Sequence, residues 1–190
     1  NRHGQAHGYA VSPTGADHMH NFWDESMRRE PVDRELQGFG VYTSLPPNEL
    51  NVDKVRAYAH VTNWTWLDNQ FGMCMFVPWS VDQLVQLVNA ITGWQTNVFE
   101  LQLAAQRALT VARAFNLREG LTRADDALPA RMATPFKSGS INERPVDPAV
   151  LDRHLSVFYG IMGWDPQTGV PTLATLQKLD LEWVAPHLGL

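Results

Sequence analysis

Between Val98 and Phe115 the apolar residues Val98, Leu101, Ala105, Ala108, Ala112 and Phe115 recur at three- and four-residue steps. A helix puts such positions on one side, and a strand scatters them over both faces. The middle of the stripe is alanine, and side chains that small let a neighbouring backbone come close, so the spacing predicts a helix lying deep in the fold. A buried helix of that length needs partners, and the rest of the sequence offers more helices. Val52, Val55, Tyr58, Ala59 and Thr62 predict one over 51–67. Ser80 with Gln83 reads as a capping box opening a helix through Leu84, Leu87, Val88 and Ile91 that stops at Gly93. Thr96 is the expected cap of the long helix. Asp147 and Pro148 sit at N-cap and first-turn positions of another that ends at Gly163, and Thr172 starts a short one through Leu173, Leu176 and Leu179.

No alternating pattern argues for a strand, so the expected class is mainly α. Residues 1–50 hold Gly4, Gly8, Pro13, Gly15, Pro31, Gly38, Gly40, Pro46 and Pro47. That density of punctuation predicts an irregular segment ahead of a helical domain over 51–190. Residues 116–147, rich in Arg, Asp and Pro, are expected to form a long connection. Within it Gly120 reads as a helix-ending residue, with Arg118 and Arg123 near the negative dipole end and Asp125 and Asp126 as their acidic partners.

Composition narrows the class of function. Hydrophobic residues make up 44% of the 190 and charged residues 18%, a globular balance. With a net charge of −5 and scattered Lys and Arg there is no basic stripe for a nucleic acid. No apolar run approaches the roughly 20 residues that span a bilayer. Seven tryptophans suit either a rich core or a broad interface. The one cysteine cannot form an internal disulfide, which suits a reducing, cytoplasmic setting. The chain opens on Asn1 without a methionine, and residues upstream are expected.

Two positions could carry chemistry. Cys74, in Asn69-Gln70-Phe71-Gly72-Met73-Cys74, is either a small buried hydrophobe or a metal ligand. An iron–sulfur cluster generally needs four thiolates, so a ligating Cys74 implies partners outside the chain. His18, in a loop with Pro13 and Gly15, is either a surface residue or a proton donor and acceptor near neutral pH. His3 and His7 are four apart, but Gly4 and Gly8 argue against a helix there. A zinc site at His18 and His20 would still need a third ligand, for which Asp17 and His60 are the candidates.

Several segments stand in an order that carries a resemblance. They are Ser12-Pro13-Thr14-Gly15-Ala16-Asp17-His18, then Gly72-Met73-Cys74, then Phe115-Asn116-Leu117-Arg118-Glu119-Gly120-Leu121-Thr122-Arg123-Ala124-Asp125-Asp126-Ala127-Leu128-Pro129. Gly163-Trp164-Asp165 and Thr168-Gly169-Val170-Pro171-Thr172 follow. Over essentially its whole length the chain resembles the C-terminal helical part of the tungsten-containing aldehyde ferredoxin oxidoreductases. The resemblance implies upstream cofactor-binding domains absent from this chain and a tungsten (or molybdenum) bis-pterin. It also implies a 4Fe–4S cluster, a small aldehyde as substrate and ferredoxin as electron acceptor. Cys74 matches the family cysteine that supplies the fourth cluster ligand. Asn69 stands where the family has a pterin-contacting aspartate, with Asp68 one residue earlier; an amide still hydrogen-bonds but brings no charge. Gly72 and Met73 share that cofactor-facing motif. His18 matches a histidine near the metal that handles a proton.

The segment from Asn21 to Pro47, with Phe22, Trp23, Phe39 and Tyr42, sits where a substrate pocket could be shaped. Related tungsten enzymes reduce an aromatic-ring thioester, and that is the alternative activity. A helical interaction subunit without redox chemistry is the reading from another class.

Overall fold

The computed structural model describes residues 2–21, 23–32, 34–139 and 145–190, with the Glu35 side chain excluded. Among the described residues the regular structure is helical: α1 (His3–Val11), α2 (Arg34–Gly38), α3 (Val52–Gln70), α4 (Val81–Thr92), α5 (Val98–Arg118), α6 (Pro148–Met162) and α7 (Leu173–Lys178). Tight 3₁₀ turns cover Asp24–Arg28, Arg123–Asp125, Ala130–Ala133 and Glu182–Leu188. One isolated bridge between Trp164 and Pro171 is the β-type pairing among these residues.

The helix ends obey local chemistry. Ser80 accepts from Gln83 N–H at 3.2 Å while the Gln83 amide oxygen accepts from Ser80 N–H at 2.9 Å, which satisfies two orphan donors. Asp147 caps α6 by accepting from Ala149 N–H, Pro148 fills the first turn, and Gly163 ends the helix at φ 75°. Thr172 caps α7. The cap of α5 is Asn97, in a reciprocal box with Glu100, and not Thr96. Thr96 is held elsewhere: Asn89 donates to its carbonyl and accepts from its N–H, both at 2.9 Å, which fixes the turn between α4 and α5.

α5 is the spine of the molecule. Leu101 and Ala105 pack with Leu67, Leu84 and Val88; Leu109 joins the main cluster of α1, α3 and α6; Ala114 packs with Leu176, Leu179, Leu181 and Val184. Its buried face is rotated from the purely apolar stripe, however. Gln106, Thr110 and Arg113 lie inside, whereas Ala108 and Ala112 are half-buried and Phe115 is exposed. Two of the polar intruders are tolerated because they are partnered: Gln106 donates to Met162 O at 3.2 Å and Arg113 to Gly169 O at 3.1 Å.

The first fifty residues, expected to be irregular, hold α1, α2 and the 3₁₀ turn Asp24–Arg28. The expectation that Gly4 and Gly8 exclude a helix fails, because both lie on the face of α1 that packs against the rest of the protein. A Cβ on Gly4 would run into Asp24 and Lys54, and one on Gly8 into Asn21 and Tyr58. Helix propensity is given up there in return for close packing. Beneath Gly4 lies a fully buried ion pair, Lys54 Nζ to Asp24 Oδ1 at 2.9 Å, with Asp24 also accepting from Gln5 N–H at 2.7 Å and Lys54 donating to Pro46 O. His7, one turn on, is fully buried, edge-on to Tyr58 and Phe158 at ring separations of 5.3 and 5.5 Å. Burial, with His154 adding, pushes its imidazole down to about 3.

Candidate functional site

Two loops carry the residues that the sequence singles out. The first follows α1 and carries residues 12–18; the second follows α3 and carries residues 71–79. A broad, open depression of about 960 Å³ is lined by Pro13 and Thr14 of the first loop, Gln70 at the end of α3, Ala108, Ala112 and Phe115 of α5, and Trp183. The half-buried alanines of α5 floor this depression, which explains why the stripe is alanine there. Asn116 ties the rim together by donating to Pro13 O at 2.8 Å.

In the first loop Asp17 accepts from Met19 N–H at 2.7 Å and contacts His20 Nδ1, and those bonds, the backbone one foremost, hold its carboxyl below the usual carboxylate range. The His20 ring lies 5.2 Å from Trp66. His18 is exposed and turned the other way, towards α1: its Nδ1 lies 3.0 Å from Tyr9 Oη and 3.2 Å from Gln5 Nε2, and its ring meets the edge of Trp23 at 4.4 Å. The two histidines therefore have separate partners. Among the described residues no three His, Cys, Asp or Glu side chains converge as a metal site. His3 and His7 do share a helix, but His7 is sealed between rings. His60 stacks on Phe39 at 5.9 Å, and burial followed by Arg56 lowers its basicity.

The second loop places Asn69 in the exposed last turn of α3, next to Asp68, whose carboxyl burial pushes up. Gly72 turns the chain at φ 64°, a conformation that L side chains resist, and Met73 N–H then donates back to Asp68 O at 2.7 Å. Open space surrounds the position of a Gly72 Cβ. The Met73 side chain packs against the cluster of α3, α4 and α5. Cys74 is a free, exposed thiol. Around it Phe71, Phe76, Val77 and Trp79 are exposed, Phe76 to 77%. Large apolar side chains gathered on a surface mark a contact with something else.

The arrangement presents one exposed thiol on the loop after α3 and one exposed imidazole on the separate loop after α1. Asn69, Gly72, Met73 and Cys74 are brought together by the end of α3; no described hydrogen bond or ring contact joins His18 to them. Phe22 lies outside the described residues, as do 140–144 of the long connection. That connection is shorter than expected, since α5 runs to Arg118 and two 3₁₀ turns follow. Asp126 also serves a different cation from the expected one. It pairs with buried Arg113 at 2.7 Å and accepts from Tyr159 Oη, whose hydroxyl is raised by burial and then by that carboxylate. Arg123 pairs with Asp152 at 2.7 Å and Arg118 with Glu119 at 2.7 Å. Gln5 and Tyr9, the partners of His18, carry no signal in the sequence beyond standing four apart, which brings them together only once α1 is a helix.

A helical module that shows a lone thiol on an apolar surface is the class of protein the geometry defines. Comparison with known proteins gives that class its family. Residues 1–181 match the family described as aldehyde ferredoxin oxidoreductase, domains 2 and 3, and the chain belongs to it. It is 26% identical over 172 residues to the tungsten-containing aldehyde ferredoxin oxidoreductase of Pyrococcus furiosus, covering 88% of this chain and 26% of that protein. It is 25% identical over 183 residues to the enzyme of the same name from Pyrococcus abyssi, covering 94% of this chain and 28% of that one. Among solved structures it matches a chain of the active-site complex BamBC of benzoyl coenzyme A reductase with 1,5-dienoyl-CoA, at a TM-score of 0.61 and 25% identity over 74% of this chain and 21% of that one. The chain thus spans about a quarter of the curated relatives it matches.

Proposed function

We propose that this chain is the helical, cluster-ligating end of a tungsten (or molybdenum) bis-pterin oxidoreductase that oxidises aldehydes to carboxylic acids and passes the electrons through a 4Fe–4S cluster to ferredoxin. The observation that carries the reading is Cys74: a thiolate ligand must reach a shared cofactor, and this thiol stands exposed on an apolar surface instead of in a core. The donor set fits one corner of a cluster, since the chain has no second thiol and its described residues gather no complete metal site. Asn69, Gly72 and Met73 bring the pterin side of the loop into register with Cys74, and Asn69 offers an amide where the family has a carboxylate. Residues 1–50 form the cofactor- and substrate-facing segment and 51–190 the helical domain.

Oxidising an aldehyde with water releases two electrons and protons. The pterin-bound metal and the cluster supply the electron path when present, and the protein must manage protons. His18, exposed on the loop that follows α1, is the residue for that task. The remaining partner is the N-terminal cofactor-binding part of the same enzyme. No described helix is long and apolar enough to cross a membrane, and an exposed free thiol suits a reducing cytoplasm.

The test uses the assembled holoenzyme. Cys74→Ala should abolish or convert the EPR signal of the cluster, and an unchanged signal rules out ligation. His18→Ala should depress turnover with metals retained; full activity removes it from the mechanism. A second reading, reduction of an aromatic-ring thioester, is favoured by the match to the benzoyl coenzyme A reductase complex, and assaying both substrate classes on the same preparation separates them.

A further inference from the structure

The reading of His18 as the proton-handling residue leaves open which of its nitrogens works and in what role. The bonds around α1 answer both. Gln5 is buried, and its amide cannot be turned either way at will: Arg2 Nη1 lies 3.4 Å from Gln5 Oε1, and a guanidinium only donates, so the oxygen faces Arg2. The Gln5 NH₂ group then faces Tyr9 Oη at 3.2 Å and His18 Nδ1 at 3.2 Å. An amide NH₂ has hydrogens and no lone pair to offer, so it can meet Nδ1 only if that nitrogen accepts. Tyr9 can turn its own O–H towards Nδ1 at 3.0 Å, so that the hydroxyl and the Gln5 amide are alternative donors to its one lone pair. A ring nitrogen that accepts is unprotonated, and the proton of the neutral imidazole must sit on Nε2.

We propose that Gln5 and Tyr9 are positioning residues that hold His18 in its Nε2–H tautomer, so that it meets the substrate oxygen as a neutral hydrogen-bond donor and not as a base. The proposal rests on the reading of His18 above as an active-site residue, adds two residues to it, and narrows its role at Nε2 from proton acceptor to hydrogen-bond donor. Base action at Nε2 would need the proton moved to Nδ1, where the Gln5 amide would oppose it and Tyr9 would have to reverse. Trp23 limits the ring from its side: it meets His18 edge-on and is itself covered by the Arg2 guanidinium, 5.1 Å from the ring centre, while Arg2 lies 3.6 Å from Glu25. Arg2 therefore orients both the amide and the indole that bracket the imidazole. Second-row partners of this kind commonly decide which tautomer a functional histidine shows.

Nitrogen NMR of the full chain labelled with ¹⁵N-histidine reads the tautomer without metals or turnover, with His18→Gln identifying the signal. At mildly alkaline pH a pyridine-like Nδ1 and a pyrrole-like Nε2 are expected; the reverse assignment overturns the proposal. Gln5→Glu puts an acceptor where the donor was and should move the proton to Nδ1. Persistence of Nε2–H in a folded Gln5→Glu chain also overturns it. Should that variant not fold, the native assignment decides alone. Tyr9→Phe keeps the ring and loses one donor: Nε2–H should persist, and turnover of the assembled enzyme should fall on the order of tenfold with KM little changed. A tautomer as described together with full activity of His18→Ala leaves the positioning geometry standing and removes the catalytic reading instead, so the two failures are distinguishable.

Discussion

The interior around Arg113 and the loops of residues 12–18 and 69–79 carry similar side-chain chemistry and use it differently. Inside, Arg113 binds Asp126 and Gly169 O, Asp126 also takes the Tyr159 hydroxyl, and the Arg113 guanidinium lies 5.3 Å from the Tyr159 ring centre and 5.6 Å from that of Trp164. The Arg113 charge is answered by Asp126 within the chain, although its Nη2 has no hydrogen-bond partner among the described residues. On the loops, Cys74 is exposed and His18 is bound through Nδ1, with no partner to Nε2 among the described residues. The difference teaches that a titratable cluster is not in itself a site. Charges paired within the chain hold the fold, and the exposed thiol and imidazole of the loops face outward.

That contrast can be broken at its strong end first. Asp126→Ala leaves a buried guanidinium unpaired and should cost about 3–5 kcal/mol. Urea unfolding of the full chain measures it, and a loss under about 1 kcal/mol would mean the interior network is not structural. Gly8→Ala should cost about 1–3 kcal/mol by driving a methyl into Asn21 and Tyr58, against the gain an alanine normally brings to a helix. A stabilised Gly8→Ala protein would show that α1 does not sit as closely as described.

His7 sharpens the comparison through pH. Its folded value, about 3, lies below the ordinary 6.5, so the unfolded chain binds the extra proton between those limits. Its contribution is therefore complete above pH 6.5 and is lost as pH falls, at about 1.4 kcal/mol per unit. Tm followed from pH 7 to 4.5 should drop less steeply in His7→Phe than in the native chain; parallel curves would contradict a sealed, neutral His7. Smallest of all, Cys74→Ala should leave Tm and stability within about 0.5 kcal/mol, as expected where an exposed side chain carries none of the fold.

Much of this architecture is legible residue by residue. The capping box at Ser80, the Asp147-Pro148 start, the Gly163 stop and the Thr172 cap are each contained within three or four positions, and each forms where the sequence places it. The exposed thiol is not legible that way. Cys74 reads equally well as core or ligand until the surrounding Phe71, Phe76 and Trp79 are found outside. The cap of α5 shifted by one residue because Asn89, seven positions earlier, had already engaged Thr96.

The sequence by itself determined the helical class, most of the helix boundaries and the family, because caps, periodicity and motif order act over short stretches of chain. Tertiary structure alone decided that α1 is a helix, which face of α5 is buried, that Asp126 answers to Arg113 and Tyr159, and which nitrogen of His18 is bound. Those outcomes depend on contacts between residues 13, 33 or more positions apart, or on space left by a missing Cβ, and burial energy belongs to the assembled neighbours instead of to any one segment.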